Sequence, residues 1–417
     1  MNASTPDQSQ HQTQDHLLTA LIIAAIFLGI AMGTRNTYSG LWMTPMSKDL
    51  GWGREIFSLT IALQNLVWGA SQPFVGYYAD QYGVRRIITF GAVLYAIGLA
   101  VPAFTHSPLV LYVFGGLVMG VAVSCTTYTI AYNLLGRMVN ADRRAWAFGI
   151  AGAAGSFGQF AMIPLGSYFI DSLGWANALL AVAAITLFIA PLGFMYARAG
   201  HQHGVRYGVA QAGGVTAGQA LKEAFADRSY VLLTAGYFVC GFQVVFIGAH
   251  LMPYLSDKGI AAHVGVTALA LIGLFNVFGT YFAGSLAQRM PKRYVLSSIY
   301  FLRSVVICLF LWAPLSEWSV YLFASAIGML WLSTVPPTNA LVAQIYGLRY
   351  MGMLAGIIFF SHQVGSFLGA WLGGRMYDAT GSYNLVWGFC IALGVFAAIV
   401  HYPIDERPLH DRSVAAA

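Results

Sequence analysis

Residues 76–86 read GYYADQYGVRR and lie between two long apolar runs, with an aspartate and two arginines closely following a glycine. A weaker copy, GSLAQRMPKR, fills residues 284–293, so that Gly76 corresponds to Gly284 at an offset of 208 residues. Two further stretches, which begin at Gly149 and Gly356, align glycines and an aspartate at an offset of 207 residues. The nearly constant offset predicts an internal duplication, and thus a chain built from two similar halves.

The composition is typical of a membrane protein. Of 417 residues, 58% are hydrophobic and only 9% are charged, whereas soluble domains carry about 25% charged residues. Many apolar runs reach or approach the roughly 20 residues that a helix needs to cross a bilayer. Backbone groups in lipid must be paired within their own segment, which favours helices. The four cysteines are scattered and show no spacing typical of a metal site or a disulfide framework.

These patterns predict an all-α membrane protein with twelve transmembrane helices in two pseudo-symmetric six-helix bundles. The bundles cover residues 17–198 and 229–403, and a linker at 199–228 joins them, with a short amphipathic helix expected at 216–226. A disordered N-terminus (1–16) and a tail (404–417) complete the chain. The expected spans are 17–43, 54–79, 87–105, 108–136, 145–170, 175–198, 229–256, 262–288, 294–313, 317–346, 350–376 and 382–403.

Basic residues give the orientation. Fifteen of the 21 lysines and arginines flank spans on the side of the termini, four lie on the opposite side, and Arg35 and Arg303 lie inside spans. Because such residues prefer the cytoplasmic side, we expect a multi-pass protein of the cell (inner) membrane with both termini cytoplasmic. The first apolar run follows no basic segment, which favours a retained span over a cleaved signal. The basic residues form no single patch, so no nucleic-acid partner is expected.

The pattern G-x-x-x-D-x-x-G-x-R-R between spans two and three resembles the signature loop of the major facilitator superfamily, and the resemblance covers nearly the whole chain. Residues 142–175 resemble the fifth-span region of the monocarboxylate transporter and bacterial oxalate/formate antiporter branch. The resemblance implies the twelve-helix major facilitator fold and transport of small carboxylates. Members often carry an arginine in span eight, where this sequence has Asn276 and Thr280. This departure either argues against a simple monocarboxylate assignment or implies that the anion-binding charge lies elsewhere in the chain.

Ionisable side chains at membrane depth are costly and are therefore candidates for function. Arg35, late in span one, can hold a carboxylate in a bidentate manner, with His250 and Asn276 as hydrogen-bonding or proton-responsive partners. Arg303 is expected to pair structurally. The alternatives are snorkelling for Arg35 and simple packing for the histidines and aromatic residues. The candidate substrate-binding residues are Arg35, Asn36, Tyr38, Tyr128, Tyr132, His250, Asn276, Tyr281, Trp331 and His362.

The opening loop and its copy are expected to form a latch between the halves. Asp80 can accept hydrogen bonds at a neighbouring helix N-terminus, while Arg85 and Arg86 can reach carboxylates or lipid phosphates. The alternative is a basic loop that only sets topology. The candidate latch residues are Gly76, Asp80, Gly83, Arg85, Arg86 and Arg293.

The predicted function is secondary active transport of a small organic anion, first of all a monocarboxylate, by proton-coupled alternating access. The alternatives are an anion exchanger of the oxalate/formate type, an exporter of hydrophobic metabolites or drugs, and a non-transporting membrane sensor. No aspartate or glutamate lies at a span centre, so a proton would use histidine or travel with the substrate. We expect a monomer in the lipid bilayer that is not an enzyme and has no cofactor, metal or catalytic residue.

Overall fold

The computed structural model describes residues 6–52, 54–207 and 216–416, and in these ranges every regular element is helical. The first half contains α1 (Pro6–Leu41), α2 (Met43–Leu50), α3 (Arg54–Tyr82), α4 (Val84–Ala100), α5 (Pro108–Val110), α6 (Met119–Ser124), α7 (Tyr128–Met138), α8 (Arg144–Leu187) and α9 (Ile189–Gln202). A π-helical segment, Leu111–Val118, joins α5 to α6. The remaining helices are α10 (Ala217–Ala226), α11 (Arg228–Asp257), α12 (Ala262–Arg289), α13 (Lys292–Trp312), α14 (Glu317–Leu330), α15 (Val335–Tyr346), α16 (Met351–Thr380), α17 (Asn384–His401) and α18 (Leu409–Ala416).

Ten stretches among the described residues are long and apolar enough to cross a membrane. One of them, Ala141–Gln202, contains two spans, because Gly174 turns the chain inside α8 with a φ of 75° and a ψ of 160°. Glycine adopts this left-handed conformation without a steric cost. The more polar α3 brings the described chain to twelve spans, which agrees with the predicted fold.

The segments outside the two bundles contain helices in the described residues. Because α1 begins at Pro6, residues 6–16 are helical where disorder was expected; residues 1–5 lie outside the described residues. The short linker helix forms as α10, capped by reciprocal hydrogen bonds between Thr216 and Gln219, while 208–215 lie outside the described residues. In the tail, Arg412 forms an ion pair of 3.1 Å with Asp227 at the start of α11.

Each half is held together by the close approach of small residues. A Cβ on Gly158 of α8 would overlap the backbone of Gly29 in α1. A Cβ on Gly365 of α16 would likewise overlap the carbonyl oxygen of Phe238 in α11. Gly158 and Gly365 are related by the offset of 207 residues, so the two halves use equivalent helix contacts.

The two halves meet most closely at one end of the bundle. We call this end, where α3 and α12 finish and α8 and α16 begin, the terminal face. There a Cβ on Gly76 would overlap the carbonyl oxygen of Gly352, and one on Gly284 would lie 2.6 Å from the carbonyl oxygen of Ala145. These contacts are equivalent under the repeat, so α3 packs on α16 as α12 packs on α8.

Candidate functional site

Two helical spans are interrupted at equivalent places in the two halves. The fourth span breaks between α6 and α7, and the tenth breaks between α14 and α15, just ahead of Pro336 and Pro337. Such breaks free carbonyl groups that must find partners inside the protein. At the first break Gln72 Nε2 donates to the Ser124 carbonyl oxygen over 3.3 Å. The interruptions bring irregular backbone to the middle of the bundle.

Arg303 donates hydrogen bonds to the carbonyl groups that the second break frees. Its side chain is 1% exposed, and its Nε and Nη2 donate to the carbonyl oxygen of Leu330 over 3.0 and 2.6 Å. Nη2 also donates to the carbonyl oxygen of Trp331, and Nη1 to Gln243 Oε1 over 3.3 Å. The structural role predicted for Arg303 is therefore confirmed, since the guanidinium stabilises the negative end of α14.

A cavity of about 100 Å³ lies between the two breaks and is lined by both halves. A cavity of this kind admits a water molecule once it offers about 10–15 Å³, so the space suits a small molecule. Five of the ten candidate substrate-binding residues line it: Arg35, Asn36, Tyr128, Trp331 and His362.

Arg35 is half-buried as a residue, but its guanidinium lies inside this cavity. Its Nη2 donates to Asn65 Oδ1 over 2.6 Å and its Nη1 to Asn36 Oδ1 over 3.2 Å. Its Cζ lies 4.7 Å from the centre of the Trp68 ring, a cation–π contact. In the described part of the chain its Nε is buried without a hydrogen-bond partner, and no carboxylate pairs with the guanidinium. A buried positive charge held only by neutral groups favours an anionic ligand.

The opposite wall comes from α15 and α16. His362 stacks on Phe359 with ring centres 5.3 Å apart, and its Nδ1 lies 3.3 Å from Gln363 Oε1. Among the described residues, Gln363 Nε2, Thr338 Oγ1 and Asn339 Oδ1 are buried without hydrogen-bond partners. Unmet donors and acceptors at a cavity wall favour a ligand that carries polar atoms.

The other five candidate residues do not line the cavity. His250 Nε2 lies 2.9 Å from the Ala370 carbonyl oxygen, where it joins α11 to α16. Tyr132 donates to the Phe148 carbonyl oxygen over 2.9 Å. Tyr38 is fully buried, with its ring 6.3 Å from that of Trp42, and Tyr281 is 41% exposed on the outside of α12.

Asn276 lies at the interface between the halves instead. Its Nδ2 donates to Ser156 Oγ over 3.0 Å, and its Oδ1 accepts from the Leu332 backbone N–H over 3.0 Å. The expected cluster of Arg35, His250 and Asn276 is thus not assembled. All three are polar residues inside spans, but of the three only Arg35 lines the cavity.

Several residues of the site were not predicted from the sequence. Asn65 and Trp68 of α3 hold the Arg35 guanidinium, while Phe359 and Gln363 build the far wall. The amides of Gln64, Asn65 and Gln72 within one span were an available indication, because amide side chains at membrane depth are placed against other protein groups.

Asp80 joins the two halves at the terminal face. This 2% exposed residue accepts hydrogen bonds from the backbone N–H groups of Gly352 and Met353, over 3.3 and 3.1 Å, at the start of α16. It also forms an ion pair of 3.1 Å with Arg137. Arg137 in turn donates to the Leu348 carbonyl oxygen over 2.6 Å. The carboxylate therefore caps a helix of the other half.

The cations expected in the latch lie elsewhere. The Arg85 guanidinium lies 4.5 Å from the centre of the Phe194 ring, Arg86 is exposed, and Arg293 donates to the Ile404 carbonyl oxygen over 3.0 Å within its own half. Arg137, from a different span, takes their place. It was not predicted because its neighbourhood with Asp80 arises only when the spans pack.

The linker covers this ion pair. The Tyr207 ring centre lies 5.1 Å from the Arg137 Cζ, and a Cβ on Gly83 would lie 3.0 Å from the Tyr207 ring. Gly83 has a φ of 84°, so glycine serves both the turn and the packing there. Burial raises the pKa of Tyr207, which keeps the phenol neutral beside the ion pair.

Comparisons with known proteins agree with this architecture. The family model described as Major Facilitator Superfamily matches residues 21–370. The chain is 25% identical to the uncharacterized MFS-type transporter YcxA of Bacillus subtilis (strain 168), over 95% of this chain and 97% of that protein. It is 24% identical to the oxalate:formate antiporter of Oxalobacter formigenes, over 85% and 83% of the two chains. It is also 24% identical to monocarboxylate transporter 12-B of Danio rerio, over 75% and 71%.

Solved structures show the same fold. The E. coli fucose:proton symporter FucP superposes with a TM-score of 0.69 at 14% identity, covering 93% of this chain and 99% of that one. The proton:xylose symporter XylE superposes with a TM-score of 0.70 at 13% identity, covering 97% and 99%.

Proposed function

Because this chain belongs to the Major Facilitator Superfamily and is a multi-pass membrane transporter, we propose that it carries a small organic anion, first of all a monocarboxylate, together with a proton. The observation that carries the proposal is Arg35, a buried guanidinium at a small cavity with no carboxylate partner in the described chain. The relatives include an oxalate:formate antiporter and a monocarboxylate transporter, which supports the same substrate class.

In this proposal the substrate carboxylate binds to the free Nε side of the Arg35 guanidinium. Asn36, Asn65 and Trp68 fix the plane of the guanidinium, so little side-chain entropy is lost on binding. Charge-assisted hydrogen bonds to a carboxylate are about twice as strong as neutral ones. The partnerless polar atoms of Thr338, Asn339 and Gln363 take the other end of the substrate.

The proposed transport cycle is alternating access between the two halves. The terminal face is assigned to the cytoplasm because it carries most of the basic residues. The glycine contacts and the Asp80 hydrogen bonds close this face, so the described conformation corresponds to a carrier that is shut on the cytoplasmic side. Breaking these contacts while the outer ends approach one another exposes the cavity to the cytoplasm.

Uptake of acids and their esters by purified protein in liposomes tests the substrate class. We expect saturable uptake of short monocarboxylates above the level of protein-free liposomes, faster when the outside is more acidic. The corresponding methyl esters lack the charge that Arg35 binds, so after subtraction of their passive entry we expect at least about tenfold slower protein-dependent uptake. Equal uptake of acid and ester would contradict an anion carrier and favour an exporter of apolar compounds. Uptake only into liposomes preloaded with anion would indicate an exchanger.

His362 is the proposed proton-responsive group, because its imidazole lines the cavity and an imidazole ring can both donate and accept a proton. With His362→Gln we expect a pH gradient no longer to drive accumulation above equilibrium, while exchange of labelled for unlabelled substrate continues. His250→Gln is the matched control, since His250 lies outside the cavity. Undiminished gradient-driven accumulation in His362→Gln would mean that the proton travels with the acid itself.

A further inference from the structure

A second, larger concavity lies on the outside of the first half, away from the substrate cavity. It is a groove of about 690 Å³ between α4 and α9, at the terminal face. Seven residues line it: Arg85, Arg86, Thr89, Phe90, Val93, Ala190 and Phe194. It contains Arg85 and Arg86, the two arginines of the loop motif at residues 76–86. Neither of them takes part in the contacts of Asp80.

The charged end of the groove has no internal counter-charge. Arg85 and Arg86 are exposed, and in the described part of the chain neither forms an ion pair or a hydrogen bond to a carboxylate. They occupy the first turn of α4, which contains no acidic residue and whose cap residue, Gly83, offers no side-chain acceptor. Two cations at the positive end of a helix dipole are unfavourable unless an anion joins them.

The equivalent arginine of the second half is engaged by groups of its own half, which makes the contrast specific. Arg293 corresponds to Arg85 under the repeat, yet its Nη1 donates to the Ile404 carbonyl oxygen and its backbone N–H to Glu406 Oε1 over 2.7 Å. Of the equivalent pair Arg85 and Arg293, Arg85 is therefore the one whose guanidinium is available to an external anion.

The rest of the groove is apolar and runs toward the middle of the membrane. Phe90, Val93 and Phe194 are 55%, 44% and 42% exposed. From Arg85 to Val93 the helix rises roughly 12 Å at 1.5 Å per residue, which is the depth of the upper part of an acyl chain. The Phe194 ring, beneath the Arg85 guanidinium, holds that cation at the mouth of the groove.

We propose that this groove binds one anionic phospholipid. Its phosphodiester lies between Arg85 and Arg86, where guanidinium groups form paired hydrogen bonds to phosphate oxygens, and an acyl chain packs along Phe90, Val93 and Phe194. The position at the face that carries most basic residues matches the side on which anionic headgroups attract arginine. The inference does not depend on which substrate the carrier moves.

Native mass spectrometry of the purified full-length protein tests this site. The protein is equilibrated with phosphatidylglycerol or phosphatidylcholine, which share acyl chains but differ in net charge. We expect phosphatidylglycerol to be retained about 30-fold more strongly, in line with two arginines near a headgroup. The Arg85→Gln/Arg86→Gln double variant should lose this preference. Equal retention of the two lipids by the unmodified protein would overturn the proposal.

Two controls separate a built site from general attraction. Arg143→Gln/Arg289→Gln removes the same charge from exposed arginines outside the groove and should keep the preference; its loss there would show that only net charge matters. Phe90→Ser keeps both cations and should still weaken lipid retention. Free glycerol phosphate has no acyl chain. If it competed for the site as strongly as the lipid does, the proposed acyl-chain contact would also be overturned. If the double variant does not fold, the lipid-retention test uses the single variants Arg86→Gln and Phe90→Ser instead.

Discussion

Replacing Arg35 with glutamine is expected to weaken carboxylate binding about 30- to 4000-fold and to abolish measurable uptake. Truncating one partner of a buried charge pair costs about 2–5 kcal/mol, and each 1.4 kcal/mol is a factor of ten. The amide keeps polar atoms toward Asn36 and Asn65, so the fold should persist. Calorimetric titration with a short monocarboxylate gives the affinity, and uptake by liposomes gives the rate.

Two companion variants make the Arg35 result specific. Arg35→Lys keeps the charge but loses the planar donor pair, so we expect intermediate affinity. Arg375→Gln removes an exposed arginine at the opposite end of α16, whose guanidinium lies over Trp371, and should bind substrate normally. If Arg35→Gln retained normal affinity and uptake, Arg35 would only join α1 to α3 through Asn65 and Trp68, and the binding proposal would be wrong.

Gly76→Val is expected to shift the carrier away from the described conformation. The new Cβ would overlap the carbonyl oxygen of Gly352, a backbone atom that cannot rotate aside as a side chain can. Overpacking typically costs about 1–3 kcal/mol, so the equilibrium constant that favours the closed terminal face should fall by about 5- to 140-fold. The halves should separate there while each bundle stays intact.

Spin labels at the exposed residues Asp142 and Gln288, on the two sides of the α8–α12 contact, measure that separation. Cys308, the exposed cysteine in the described chain, is first replaced by serine. The label distance should lengthen in Gly76→Val and also in Gly284→Val, its equivalent under the repeat. Gly388→Val is the control, because its Cβ meets nothing within 4 Å. An unchanged distance in Gly76→Val would show that the terminal contact does not set the conformation.

The fold was predictable because it depends on properties that are local or repeated in the chain. Long apolar runs require helices in lipid whatever their neighbours, and the relation of Gly76 to Gly284 can be read from spacing alone. The assignment to the Major Facilitator Superfamily is confirmed. Arg35 and His362 were identified as candidates because any ionisable group inside a span is expensive, and both line the cavity.

The partners of these residues were decided by tertiary structure. Arg137 rather than Arg85 pairs with Asp80, Trp68 lies under Arg35, and His250 faces Ala370 instead of the cavity. A helix that is apolar on all sides carries little information on which face meets which neighbour. Spacing along the chain fixes how far along a helix a side chain lies, but the direction in which it points depends on helix rotation, and only the packing of the two bundles sets that rotation.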